Sequence, residues 1–252
     1  MLEKIYRYII SRWYIFRNEK KYKYNGKTIK YIFDKQDSND LIVVFNAFPG
    51  ANRKGRYNYI WTLKDIHANK LFILDDFGPN QRGSYYLGEN RNFYIEKLVM
   101  HLLEKIQAQF KFKKKVFIGS SKGGYAALYF GIKTYASHII CGAPQFYLGD
   151  YLANNTNHMD ILNYIMGDCS EESVVYLNAL LKNIIKKNNR KVFLYLHYSK
   201  LEHTYKEHIH DLIEICEGNN VNIYHDVKDY KNHSDVSKYF PKYIKESLNQ
   251  IL

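Results

Sequence analysis

The chain has 252 residues, 46% of them apolar, and carries a formal net charge of +12. A chain of this length and apolar content can bury one large core, so we expect a single domain over residues 1–252. Its three cysteines are an odd number without metal-ligand spacing, so they suggest neither a disulfide framework nor a zinc site and favour a reducing compartment.

The N-terminal segment is apolar in places but is interrupted by Arg7, Arg12 and Arg17. These charges exclude a secretory signal and a membrane span, so we expect a cytoplasmic protein. Four apolar side chains recur there at roughly helical spacing: Ile5, Ile9, Trp13 and Phe16. Basic residues lie between them. We favour an ordinary helix or strand packed on the core; the alternative is a basic amphipathic helix in peripheral contact with the inner face of an anionic membrane.

The positive charge is spread along the chain rather than concentrated in one patch. Its densest runs each precede a predicted strand, in expected surface turns: Lys20–Lys23, Lys111–Lys115 and Lys186–Lys191. No nucleic-acid-binding motif accompanies these runs, so we interpret them as solvated surface and expect no nucleic-acid partner. The charge is compatible with an acidic substrate or an anionic membrane.

Strand and helix patterns alternate along the chain. The predicted strands are Thr28–Phe33, Leu41–Phe45, Lys70–Leu74, Val116–Ile118, Ser137–Cys141, Lys191–His197 and Asn222–Val227. The predicted helices are Tyr57–Ile66, Asn92–Gln109, Lys122–Lys133, Thr204–Glu217 and Asp235–Leu252. This alternation predicts an α/β fold with a mostly parallel sheet, helices on both faces, and functional groups at the carboxyl ends of the strands.

One segment, Gly119–Gly124, follows a short apolar strand, opens a small-residue helix and contains the pattern G-x-S-x-G around Ser121. A serine on such a turn has a strained backbone and a projecting hydroxyl, so we identify Ser121 as the candidate nucleophile. The N–H of Lys122, at the positive end of the helix dipole, would stabilise an oxyanion. The alternatives are a Gly-Ser loop without catalytic role and a phosphate-binding turn; the ending of a P-loop is absent.

The elbow, the order of strands and a late histidine make the chain resemble the α/β-hydrolase superfamily over nearly its whole length. Further motifs look similar to bacterial proteins of capsular polysaccharide biosynthesis: Leu74–Gly78, Arg82–Gly88, Gly119–Gly124 and Gly142–Gln145. The α/β-hydrolase component of the accessory Sec system, associated with acetylation of glycan on secreted adhesins, looks similar too. This resemblance implies the α/β-hydrolase fold and acyl, chiefly acetyl, chemistry on a surface glycan; we expect neither a metal nor a cofactor.

The family order of nucleophile, acid and histidine places the base in the loop after the last strand, where His233 lies. Its neutral imidazole can accept the proton of Ser121 and return it to the leaving group. The acid should follow the strand Lys191–His197, where we choose Glu202, although most family members have aspartate there. The alternative for His233 is a surface histidine without catalytic role. The alternative for Glu202 is an acid at the start of a helix, where the helix dipole stabilises its charge. The rival carboxylates are Asp226, Asp229 and Asp150.

The loop after the strand Leu41–Phe45 should supply the second oxyanion donor. We expect the N–H of Ala47 or Phe48 to serve, with the side chain of Asn46 as a further donor or substrate ligand. The alternative is a turn without catalytic role. The loop lacks the HGGG sequence of lipases, which argues against a lipase.

Side chains at the same edge suit a glycan, because aromatic rings stack on sugars while charged groups bind hydroxyls or carboxylates. Asp76 ends a predicted strand, and Arg82 and Tyr85 follow it in a loop; packing of tyrosines in a Tyr-rich chain is the alternative. Residues 145–189 form a long connection with helical patterns near Asp160–Met166 and Glu171–Ile185, where we expect a helical cap over Ser121. We interpret three histidines as surface residues rather than metal ligands: His203, His208 and His210.

Together these features predict a serine-dependent esterase or O-acyltransferase that acts on an acyl ester or glycan through an acyl-serine intermediate. The same triad performs hydrolysis and transfer, since the difference lies in water exclusion. The alternative function is a non-catalytic, hydrolase-fold assembly partner in a polysaccharide or secretion complex.

Overall fold

The protein is described by a computed structural model that covers residues 2–50 and 53–252, without the side chains of residues 2–5 and 7. One eight-stranded sheet has the order β1-β2-β4-β3-β5-β6-β7-β8. Its strands are β1 Glu19–Tyr24, β2 Lys27–Asp34, β3 Asp40–Phe45, β4 Asn69–Leu74, β5 Lys114–Ser120, β6 His138–Gly142, β7 Val192–Tyr198 and β8 Val221–Val227.

The sheet is mostly parallel, as predicted. β1 pairs antiparallel with β2, and β2 pairs antiparallel with β4; the six strands from β4 to β8 in sheet order run parallel. The near-continuous apolar sequences of the central strands suit strands that are covered on both faces, and every residue of β4 is buried. β8, at the edge of the sheet, has one buried residue, Val221. The carboxyl ends of the parallel strands therefore meet at one edge, which we call the carboxyl edge.

Helices cover both faces of the sheet. Their bounds are α1 Leu2–Asn18, α2 Tyr94–Gln109, α3 Lys122–Lys133, α4 Leu148–Ala153, α5 Met159–Met166, α6 Glu171–Lys186, α7 His210–Glu217 and α8 Val236–Ile251. One hydrophobic core contains buried side chains of α2 to α7, and a second core, on the opposite face, contains those of α8. A single π-helical turn, Tyr205–Ile209, leads into α7.

Two local predictions are wrong. The predicted helix Tyr57–Ile66 is a set of hydrogen-bonded turns, because Tyr59 has a φ of 62°, outside the right-handed helical region. The run Lys20–Lys23, interpreted as a surface turn, lies within β1. The sequence did not indicate a strand there because only Tyr22 of β1 is buried, so no apolar alternation marks the segment.

The N-terminal helix packs on the sheet through a different face from the predicted stripe. Tyr14 and Ile15 contact the second core, whereas Ile9, Trp13 and Phe16 are 57%, 56% and 87% exposed. The side chain of Ile5, also part of that stripe, lies outside the described residues. Within the described part of the chain, no helix is long and apolar enough to span a membrane.

Residues 145–189 contain the two predicted helical patterns, which correspond to α5 and α6, and a further helix, α4. α6 packs against α3 and α7 and is thus part of the helical layer. The loop between α4 and α5 borders the largest cavity described below. The role of this segment as a cap stays a prediction.

Candidate active site

Ser121 occupies a strained turn between β5 and α3. Its φ of 52° and ψ of −123° lie outside the regions that side-chain-bearing residues favour. The backbone N–H of Ser121 donates to Gly142 O at 2.8 Å, which ties the turn to β6. A Cβ on Gly123 would lie 2.5 Å from Phe45 O, so glycine is required for the close approach of α3 to β3. This is the geometry that the G-x-S-x-G pattern predicts.

Gln145 contacts Ser121 directly. Its Nε2 donates to Ser121 Oγ at 3.0 Å, while its Oε1 is buried without a partner among the described residues. Gln145 is fully buried in the loop after β6, the strand next to β5. Gly142–Gln145 is one of the motifs that carry the resemblance, but no role was predicted for Gln145. The signal that could have identified it is its position after the strand that neighbours the strand before Ser121.

Glu202 and His233 are brought together by the loops after β7 and β8. His233 Nδ1 lies 2.5 Å from Glu202 Oε1; the Glu202 side chain is fully buried, whereas that of His233 is 29% exposed. The two loops are joined by Ser199, whose Oγ donates to Tyr230 O at 2.6 Å and accepts from Tyr230 N at 3.2 Å. This arrangement holds a histidine with one ring nitrogen bound to a carboxylate, as a general base requires.

The rival carboxylates have other surroundings. Asp226 lies 2.6 Å from Nδ1 of His197 and 2.7 Å from Lys228 Nζ. Burial lowers the pKa of His197, although Asp226 opposes the shift. Asp229 is exposed on the loop after β8, and Asp150 lies on α4 beside the smaller cavity described below. Among these acids, Glu202 is the one that contacts His233.

The side chain of Lys122 forms a buried ion pair. Lys122 Nζ donates to Asp75 Oδ2 at 2.8 Å, and both side chains are fully buried. Asp75 also accepts from the backbone N–H groups of Ser84 and Tyr86. Burial lowers the pKa of Lys122, and the attraction of Asp75 opposes this shift. The pair anchors the first turn of α3, where the Lys122 N–H has no partner among the described residues.

The loop after β3 is held by side chains. Asn46 Oδ1 accepts from Asp75 N at 2.8 Å and from the hydroxyl of Tyr86 at 2.6 Å. The N–H of Ala47 donates to Asn58 Oδ1 at 2.8 Å. The N–H of Phe48 has no partner among the described residues. Of the two expected backbone donors, the N–H of Ala47 is therefore already bonded to a side chain, and the role of Phe48 as an oxyanion donor stays a prediction.

Three predicted substrate residues lie in different environments. Asp76 Oδ2 pairs with Lys30 Nζ on β2 at 2.5 Å. Tyr85 is fully buried and packs edge-on against Tyr125, so it is a core residue in this structure. Arg82 lies with its guanidinium 4.6 Å from the centre of the Phe48 ring and borders a cavity. Arg82 is thus the member of this set that lines a described cavity.

Two neighbouring cavities share Asn155. The larger, about 740 Å³, is lined by Phe48, Pro49, Arg53, Lys54, Asn80, Gln81, Arg82, Asn155, Asn157 and His158. The smaller, about 370 Å³, is lined by Asp150, Tyr151, Asn154, Asn155, His203, Glu207 and His208.

Burial lowers the pKa of both His158 and His208 to about 4. The interpretation of His208 as a surface residue is therefore wrong, since it is 2% exposed. Among the described residues, His210, Asp211 and Glu214 are the group whose spacing could hold a metal ion; exposed acidic groups commonly have such spacing without a metal.

No protein-family model matches the chain, and no curated protein matches it. Among solved structures, it is similar to a capsule O-acetyltransferase of Neisseria meningitidis serogroup A, a mutant in complex with CoA. The TM-score is 0.74 at 22% identity, over 90% of this chain and 94% of that chain. The chain is also similar to the Glycosylation Associate Protein (Gap123) complex from Streptococcus agalactiae. The TM-score is 0.74 at 22% identity, over 92% of this chain and 46% of that chain.

More distant enzymes share the same architecture. An S-formylglutathione hydrolase from Agrobacterium tumefaciens has a TM-score of 0.61 at 11% identity, over 90% of this chain and 92% of that chain. Identities this low carry information about the fold alone. The chain therefore has the α/β-hydrolase fold, and its predicted resemblance to the hydrolase-fold proteins of capsule biosynthesis and accessory secretion is confirmed at that level.

Proposed function

We propose that the protein is a serine-dependent esterase or O-acyltransferase that forms an acyl ester on Ser121. The observation that carries this proposal is the hydrogen bond of 2.5 Å between His233 and Glu202, on the loops after β7 and β8. These loops lie at the carboxyl edge, where Ser121 follows β5. A strained serine, a histidine and a buried carboxylate at one edge support nucleophilic acyl transfer.

In the acylation step, Ser121 Oγ attacks the acyl carbonyl and its proton passes to His233 Nε2. Glu202 holds the other ring nitrogen and stabilises the imidazolium. The oxyanion accepts from the N–H groups of Lys122 and Phe48. Gln145 fixes the position of Ser121 Oγ through its donated hydrogen bond. His233 then gives its proton to the leaving group as the carbonyl re-forms.

The acyl group leaves Ser121 by attack of a hydroxyl on the ester carbonyl. His233 takes the proton of that hydroxyl and delivers it to Ser121 Oγ as the ester bond breaks. The hydroxyl belongs to a glycan in acyl transfer and to water in hydrolysis. Similarity to a capsule O-acetyltransferase supports acetyl transfer to a bacterial surface glycan.

We further propose a CoA thioester as the acyl donor. The similar capsule O-acetyltransferase was solved in complex with CoA. In this chain, the larger cavity is bordered by Arg53, Lys54 and Arg82, and no carboxylate among the described residues lines it, although Asp160 lies 3.8 Å from the Arg82 guanidinium. Cationic side chains of this kind bind phosphate groups, which CoA carries. The cavity also adjoins Phe48, the proposed oxyanion donor, so a thioester carbonyl could reach Ser121 from this side.

A fluorophosphonate probe tests the nucleophile. The folded protein should be labelled at Ser121, and Ser121→Ala should lose both labelling and ester turnover. Ser120→Ala is the matched control, because Ser120 is the adjacent serine and its Oγ lies 2.6 Å from the Tyr59 hydroxyl. Labelling that persists in Ser121→Ala, or ester turnover that it leaves unchanged, would reject the proposal.

A second candidate function is attachment to an anionic membrane or a biosynthetic complex, with or without catalysis. The exposed apolar side chains of α1 favour it, together with the guanidinium of Arg17, which lies 4.6 Å from the centre of the Trp13 ring. Similarity to the Gap123 complex supports a partner protein.

Vesicle flotation with anionic lipid tests the membrane arm of this candidate. Binding should weaken in Trp13→Ser and Phe16→Ser, but not in Val175→Ser, a control that removes an apolar side chain 60% exposed on α6. Equal binding by all three variants would exclude a membrane role for α1.

A further inference from the structure

The smaller cavity lies on the side of the site that carries the proposed base. His203, which lines the cavity, follows Glu202 directly in the chain. Burial lowers the pKa of His208, another lining residue, and the nearby charge of His233 adds to this shift. The larger cavity, in contrast, adjoins the oxyanion loop through Phe48. The smaller cavity therefore adjoins the loop that carries Glu202, and the larger cavity adjoins the loop that carries Phe48.

The two cavities differ in charge. The larger one is bordered by Arg53, Lys54 and Arg82. The smaller one is bordered by the carboxylates of Asp150 and Glu207, and Glu207 lies 2.9 Å from the imidazole of His203. Anionic ligands are favoured in the first and opposed in the second. One extended substrate of uniform negative charge therefore does not suit both.

His208 lines the smaller cavity and carries a buried ring nitrogen. The N–H of Tyr147 donates to His208 Nδ1 at 3.3 Å, so the neutral ring carries its proton on Nε2. That Nε2 is buried and has no partner among the described residues. An unsatisfied buried donor is destabilising, and a hydroxyl oxygen brought to it would remove the penalty. The ring of Tyr151 also lines the cavity and offers an apolar surface to a sugar.

We propose that the smaller cavity binds the sugar unit whose hydroxyl gives or receives the acyl group, and that this unit carries no negative charge. Asp150 and Glu207 accept hydrogen bonds from its hydroxyls, and His208 donates one. Bound there, the sugar approaches from the side of His233, which removes its hydroxyl proton as the oxygen attacks the ester on Ser121. This inference rests on the acyl-serine chemistry proposed above.

The test uses p-nitrophenyl acetate as donor and two acceptors of matched size, methyl β-D-glucoside and methyl β-D-glucuronide. The burst of p-nitrophenol reports acylation of Ser121, and acetylated glycoside reports transfer. The neutral glucoside should accept at least about tenfold more acetyl than the anionic glucuronide. Asp150→Asn and Glu207→Gln should reduce transfer to the glucoside and narrow this preference, while the burst stays unchanged.

Glu172→Gln is the matched control, because it makes the same change as Glu207→Gln at a carboxylate on α6 that is 80% exposed and lines neither cavity. It should leave the preference for the glucoside intact. Equal use of the two glycosides, absence of glycoside acetylation despite a normal burst, or a preference unaffected by Asp150→Asn and Glu207→Gln would each overturn the inference. Absence of the burst in the unmodified protein would instead reject the acyl-serine proposal itself.

Discussion

Glu202 and Asp226 form a matched pair of carboxylates at the carboxyl edge. Each lies close to a histidine Nδ1, at 2.5 Å for Glu202 with His233 and 2.6 Å for Asp226 with His197. Glu202→Gln and Asp226→Asn therefore make the same chemical change at two similar hydrogen bonds. Only the first should impair catalysis, because only His233 takes part in the proposed proton transfer.

The expected magnitude follows from the environment of Glu202. Its side chain is fully buried, so its charge acts on the imidazolium with little screening by water. An amide in its place removes that charge and can hold the wrong tautomer of His233. A comparable change in serine proteases lowers kcat by about 10,000-fold. We expect Glu202→Gln to reduce kcat/KM by about 1,000- to 10,000-fold, or ~4–5.5 kcal/mol in the barrier.

The assay is steady-state hydrolysis of p-nitrophenyl acetate, with the free energy of unfolding measured for both variants. Asp226→Asn should change kcat/KM by less than about threefold. A folded Asp226→Asn variant that loses as much activity as Glu202→Gln would refute the assignment of the triad. A folded Glu202→Gln variant with near-normal activity would refute it as well.

Three further results are expected from the structure. Asp75→Ala leaves the buried charge of Lys122 unpaired and should lower the free energy of unfolding by about 3–5 kcal/mol in urea denaturation. Lys122→Met leaves Asp75 its backbone donors and should lower the free energy of unfolding by less. A larger loss in Lys122→Met than in Asp75→Ala would contradict this reasoning. Burial lowers the pKa of His158 and His208 from 6.5 to about 4. The contribution of the two neutral rings to the free energy of unfolding is therefore fully present above pH 6.5. It should fall by about 1.4 kcal/mol per pH unit for each histidine as the pH drops towards 4. His158→Gln should flatten that slope, and an unchanged slope would argue against a buried neutral histidine. Gln145→Leu removes the donor to Ser121 Oγ and should lower kcat about tenfold with little change in KM, whereas an unchanged kcat would show that the contact does not position the nucleophile.

The parallel strands and the elbow were predictable because they depend on local sequence. Continuous apolar runs such as Leu41–Phe45 identify buried strands, and the glycines around Ser121 reflect a backbone approach that admits no side chain. β1 was missed for the same reason, since a charged strand with one buried side chain lacks the pattern. The helix predicted at Tyr57–Ile66 failed because the left-handed conformation of Tyr59 leaves no signal in composition.

The partners of individual side chains were less predictable, because they depend on segments distant in sequence. The N–H of Ala47 donates to the side chain of Asn58, and the carboxylate of Asp76 pairs with Lys30. Gln145 contacts Ser121 from the loop that follows the neighbouring strand, β6. Contacts of this kind require the sheet order, which periodicity alone does not supply.

β1 is an edge strand, and its composition has a consequence for solubility. A bare sheet edge is a template on which another chain can pair, and exposed lysines on that edge oppose such pairing. Lys20, Lys21 and Lys23 are exposed on β1. Part of the positive charge that invited a nucleic-acid interpretation therefore keeps separate copies of the sheet apart. Neutralising these amines, for example by chemical acetylation, should favour aggregation through this edge.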